Sequence, residues 1–156
     1  MKQKLITRFA CATALCLALL TAGCSSFTHE WEKAALRKPS HDLSGRWEGH
    51  WISASNGHDG ALRAVIAPDG ANKYHALFHA TFASAFTFTY PVTFEARQRG
   101  ARIDFSGVAK LPSWAGGRYT SIGHATRTDF IATYKSKYDD GRFEMKRVEP
   151  QPIPSY

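Results

Sequence analysis

Cysteine is scarce in this 156-residue chain: Cys11, Cys16 and Cys24 are the only three, and residues 25–156 have none. That excludes a disulfide framework in the body of the chain and a cysteine-built zinc site. Acidic residues are missing from the first 23 positions. Lys2, Lys4 and Arg8 there carry three of the +7 formal charges, which leaves +4 on residues 24–156. That remainder is diffuse. No Lys/Arg cluster stands on one element, so a nucleic-acid footprint is excluded, while an anionic membrane surface or peptidoglycan remains a suitable neighbour. A phosphate-cradling loop, a dinucleotide fingerprint, paired catalytic carboxylates and a Gly-x-Ser-x-Gly elbow are also absent. The sequence implies no cofactor and no enzymatic activity. Long apolar runs are missing too. Phe9 to Leu20 is apolar over about twelve residues, too short to span a bilayer.

That run follows Lys2, Lys4 and Arg8 and precedes Leu20-Thr21-Ala22-Gly23-Cys24. A basic start, a short apolar core and small residues before a cysteine resemble the bacterial lipobox. The resemblance implies that residues 1–23 are a signal peptide and that Cys24 carries a diacylglyceryl group. The chain would then be a lipid-anchored membrane protein of the bacterial cell envelope. Ser25 is similar to the outer-membrane sorting pattern of Gram-negative bacteria. Acyl chains contribute about 0.8 kcal/mol per buried CH₂, so two or three chains anchor permanently. Residues 24–44 read as a tether. Within it, Thr28 to Lys38 fits a short helix, with Thr28 as N-cap, acids in the first turn, bases in the last and Pro39 as the stop. Trp31 and Leu36 would dock on the domain if it forms; a frayed linker is the alternative.

From Gly45 the hydrophobic pattern takes a period of two, with turn residues every ten or so positions. Eight strands are expected, over 45–53, 60–68, 73–82, 86–96, 101–111, 117–126, 129–136 and 142–149. Asn56-Gly57, Pro68-Asp69-Gly70, Arg99-Gly100, Gly116-Gly117 and Asp140-Gly141 punctuate them where positive φ is needed. Consecutive strands with short turns form an antiparallel meander. The fold class is all-β, and eight such strands close into an up-and-down barrel over residues 45–149. Phe86, Phe88, Tyr90, Val92 and Phe94 share one face of the fourth strand, and Thr87, Thr89, Thr93 and Glu95 the other. Ile103 and Phe105 oppose Arg102 and Asp104; Phe143 and Met145 oppose Arg142 and Glu144. The outer faces are wet, unlike those of a transmembrane barrel. Strands two and six alternate less cleanly. Residues 150–156 form a Pro-rich tail.

The first strand begins Gly45-Arg46-Trp47-Glu48-Gly49. Gly-x-Trp at this place, after a short helical segment, resembles the lipocalins and the wider calycin group. The resemblance implies that Trp47 closes one barrel end beneath an Arg or Lys of the last strand. Arg147, in phase with Phe143 and Met145, is the candidate partner. It also implies a barrel mouth suited to a small apolar ligand.

The candidate ligand-binding residues are therefore inward-facing: Trp47, Trp51, Phe78, Phe88, Tyr90, Phe105, Tyr119, Tyr134 and Met145. Rings beside Gly49, Ala76, Ala80 and Gly107 fit a ring-lined hollow for a hydrophobic ligand or lipid. They fit equally a barrel filled by its own side chains, working through its outer surface on a protein or glycan partner. Histidines offer no metal site. His75 and His79 share a strand face but stand about 13 Å apart. The loop Ser53–Gly60 holds His58, Asp59 and two serines, yet Asn56-Gly57 explains it as a hairpin turn that could rim the mouth. Trp114, in a Gly/Pro loop, either stands exposed at a barrel end or folds back over the core.

Overall fold

A computed structural model describes residues 26–38, 40–83, 86–113 and 116–149. The leader with Cys24, Pro39, Trp114 and the tail lie outside the described residues. Eight strands follow in chain order: β1 (Gly45–Ser53), β2 (Asp59–Pro68), β3 (Lys73–Phe82), β4 (Phe86–Arg99), β5 (Arg102–Lys110), β6 (Arg118–Ala125), β7 (Asp129–Lys135) and β8 (Asp140–Val148). Each pairs antiparallel with the next, and β1 also pairs with β8, so the sheet closes into a barrel. Short connections force neighbouring strands to meet antiparallel, and closure leaves no unpaired edge.

The turns follow the residues that punctuate the sequence, with one correction. Gly57 takes a φ of +73°, which its hairpin requires. Gly141, expected in a turn with Asp140, instead lies within β8. A Cβ there would stand 2.1 Å from the Ile52 carbonyl oxygen. Close approach of β1 and β8 demands the glycine, not turn geometry.

Strands two and six break alternation for opposite reasons. Val65 and Ile66 point to opposite faces of β2, yet both are buried. Ile66 lies inside the barrel, and Val65 lies under a helix on the outer wall. In β6, Ile122 simply points into solvent, 70% exposed.

That helix, α1, covers residues 26–35. Phe27, Trp31 and Ala34 recur at i, i+4 and i+7 and so share one face. They pack on Val65 and Leu77. Phe27 stacks on His79 with centroids 4.8 Å apart, and the guanidinium groups of Arg46 and Arg63 lie 5.2 and 5.4 Å from the Trp31 ring. The expected limits are corrected at both ends. Ser26 and Phe27 are helical, so Thr28 is inside the helix and not its N-cap, and residues 36–38 are not helical. Leu36 does not dock; it is 75% exposed.

Candidate functional site

The antiparallel meander gives the barrel two chemically different ends. One end gathers the start of β1, the end of β8 and the β2–β3, β4–β5 and β6–β7 turns. It is solid. Trp47, Phe94, Phe105 and Phe130 are all buried, with Phe105 and Phe130 stacked at 4.5 Å and Trp47 tilted on Phe130 at 5.5 Å. The Trp47 indole Nε1 donates to the Leu43 carbonyl at 3.0 Å, so the segment before β1 folds over the opening as a plug.

Arg147 seals the plug. Its guanidinium lies 4.1 Å from the Trp47 ring centroid. The same group donates to the backbone carbonyls of Asp42, Ser44 and Arg127. A desolvated cation over an indole contributes about 1–2 kcal/mol, and the three bonds fix its position. Next to it, burial alone would push the Asp42 carboxyl up, but hydrogen bonds from Ser40 and Ser44 outweigh burial and hold it below the usual carboxylate range.

The other end is hollow. The β1–β2, β3–β4, β5–β6 and β7–β8 connections surround a cavity of about 910 Å³. Phe78 and Phe94 form its floor and Trp51, Phe82, Phe86, Phe88 and Phe143 stand on its walls. Ala80 and Ala109 leave room between the rings. The Trp51 indole is not free to turn, because its Nε1 donates to the Thr81 carbonyl at 3.1 Å. Phe86 and Phe88 are 69% and 44% exposed, which marks that side of the cavity as its mouth.

Tyr90, Tyr119, Tyr134 and Ser121 add hydroxyl groups to a mainly apolar cup whose rim also carries Asn56, His58 and Asp139. Burial, and then Tyr119 nearby, pushes the Tyr90 hydroxyl well above the ordinary tyrosine value. Burial, and then Asp139, does the same to Tyr134, whose hydroxyl donates to Asp139 at 3.1 Å. Both stay protonated at neutral pH; the Tyr90 hydroxyl can donate to a ligand oxygen, whereas Tyr134 gives its one proton to Asp139 and offers a ligand only its oxygen as an acceptor. Among the described residues lining the cavity there is no Lys or Arg; Asp139 is the one carboxylate.

Six of the nine candidate ligand-binding residues line this cup: Trp51, Phe78, Phe88, Tyr90, Tyr119 and Tyr134. Trp47, Phe105 and Met145 do not. They face inward, as phase requires, but belong to the packed half. Strand phase fixes which side of the sheet a residue occupies, not its depth along the barrel. The rim residues Asn56, His58, Leu111, Pro112 and Asp139 come from three different connections. Their common location follows from topology, since alternate turns of a meander lie at one end. His58 stands edge-on to Phe82 at 5.1 Å. His79 lies on the outer wall beneath Phe27 and bonds Thr89 at 2.9 Å. Among the described residues no three His, Cys, Asp or Glu side chains gather around one point.

No family model matches the chain, and neither does any curated protein or solved structure.

Proposed function

We propose that this protein is a membrane-anchored envelope lipoprotein whose barrel holds a small, uncharged hydrophobic ligand or lipid, and that it binds without catalysing a reaction. The observation that carries this reading is the aromatic cup of about 910 Å³, open at one end of a barrel sealed at the other. Its size falls among ligand pockets, and its apolar lining with a few placed hydroxyls is the composition such pockets use. The Trp47–Arg147 stack at the sealed end supports a calycin-like reading. The lining favours an uncharged ligand. A carboxylate placed deep in the cup would lose its hydration with no cation to receive it, and Asp139 would repel it. Tyr90 and Tyr119 suit an alcohol, ether or carbonyl oxygen. Anchorage comes from Cys24, where small residues precede the cysteine after a short apolar run.

The neutral fluorophore N-phenyl-1-naphthylamine should bind the detergent-solubilised chain stoichiometrically. Dodecanol should displace it at least about tenfold more effectively than dodecanoate, a difference of about 1.4 kcal/mol. A probe that neither binds nor is displaced removes the ligand cup, and equal displacement removes the preference for a neutral ligand. Cys24→Ser should release the chain from the membrane fraction in a high-salt wash; retention would refute the anchor.

A further inference from the structure

The position of α1 fixes where an anchor leaves the barrel. Phe27 lies on His79 of β3. His79 is three residues from Phe82, where β3 ends at the mouth, about 10 Å away, and six from Lys73 at the closed end, about 20 Å away. From Phe27 onward the chain moves away from the mouth. Trp31 meets Arg46 near the start of β1, and Leu43 then enters the plug. Cys24 precedes Phe27 by three residues, a span of at most about 11 Å of chain. That span is enough to reach the mouth, about 10 Å from His79, and too short to reach the closed end, about 20 Å away.

The same edge of the barrel carries exposed rings. Phe86 and Phe88 begin β4 beside the mouth end of β3, paired with Phe82 and Ala80. His79, beneath Phe27, bonds Thr89 of that strand. Anchor exit and aromatic lip thus lie on one β3–β4 hairpin. Across the mouth, Tyr138 in the β7–β8 connection is 66% exposed. Aromatic rings of this kind settle at the headgroup level of a bilayer, where one edge is apolar and the other wet.

We propose that the β3–β4 lip rests on the lipid bilayer, so that the mouth faces the membrane and the cup exchanges its ligand with the lipid phase and not with bulk water. The proposal rests on acylation of Cys24 and on the ligand cup described above. The occupant of the exposed lip is then the bilayer itself, delivered by the anchor to the hairpin that carries Phe86.

The test uses the full lipidated chain reconstituted in vesicles of phosphatidylcholine and phosphatidylglycerol. Because residues 25–156 lack cysteine, a single added thiol can be labelled with a nitrobenzoxadiazole fluorophore. Phe86→Cys and Tyr138→Cys report the two sides of the mouth, and Asp69→Cys reports the β2–β3 turn at the closed end. Headgroup-proximal doxyl lipids should quench the Phe86 and Tyr138 labels at least threefold more strongly than the Asp69 label. Equal quenching, or stronger quenching at Asp69, overturns the orientation. Two controls separate that failure from failure of its premises: vesicle retention reports the anchor, and naphthylamine binding in detergent reports the cup. Loss of retention overturns the proposal through its anchor, and loss of probe binding overturns it through the cup.

Discussion

The two halves of the barrel are written in the same alternating pattern, yet one is packed solid and the other encloses a cup. In the closed half, rings meet small residues face to face. Phe94 lies over Gly107, where a Cβ would come within 2.4 Å of the ring, and Leu43 fills the end from outside the strands. In the open half the rings lie along the walls, and none of the described residues plays the part of Leu43. Small residues admit a neighbouring ring in one half and leave empty space in the other. The number of large side chains does not decide whether a barrel is hollow; a plug at its end does.

Mutations should separate the halves. Trp47→Ala removes a fully buried indole from a site that cannot collapse, and should cost about 3–5 kcal/mol in urea denaturation. Arg147→Ala should follow at about 2–4 kcal/mol, since it deletes both the cation on Trp47 and the donors to three carbonyls. Phe88→Ala, at the half-open mouth, should cost under about 1 kcal/mol. If Phe88→Ala destabilises as much as Trp47→Ala, the halves are not energetically distinct.

Ala109→Trp offers the converse measurement. It fills space between the rings of the cup, so naphthylamine affinity should fall at least about tenfold while the denaturation midpoint moves little. The same substitution in the closed half, at the buried Ala132, should instead unfold the barrel by overpacking. Unchanged probe affinity in Ala109→Trp would place the ligand outside the cup.

The smallest effect concerns α1 and pH. Burial, with Arg63 adding its charge, holds His79 below the ordinary histidine value. The unfolded chain therefore takes up the proton first. Stability from this site is full above about pH 6.5 and is lost as pH falls towards the folded-state value. His79→Phe keeps a ring under Phe27 and should flatten the difference in denaturation midpoint between about pH 7 and pH 5.5. An equally steep dependence in that variant would assign the effect to another group.

The barrel was legible because its determinants are local. Period-two alternation and Gly- or Asn-containing turns set the strands, and short turns force antiparallel neighbours. Phase alone put Arg147 on the inner face with Met145 and Phe143. Depth was not legible, since nothing local distinguishes Phe105 in the packed half from Phe88 at the mouth. The limits of α1 were obscured for a different reason. Thr28 and the charge pattern describe an isolated helix, whereas the wall of β2 and β3 selects Phe27, Trp31 and Ala34. Tertiary packing outweighs a capping preference of about 1 kcal/mol. The irregular pattern of β2 was itself a trace of that wall, because Val65 needed cover that the barrel interior does not provide.

The three carbonyl bonds of Arg147 also bear on the order of events during folding. Asp42 and Ser44 lie 105 and 103 positions before Arg147, and Arg127 lies 20 before it. Hairpins from β1 to β7 can pair as soon as each is available, but this clasp must wait for the last strand. Contacts of such long sequence separation are made slowly, because the intervening loop entropy is spent before they repay it. Until β8 arrives, β1 and β7 both present open edges able to pair with another chain. Truncation before Arg147 should therefore yield an aggregating meander and not a smaller barrel.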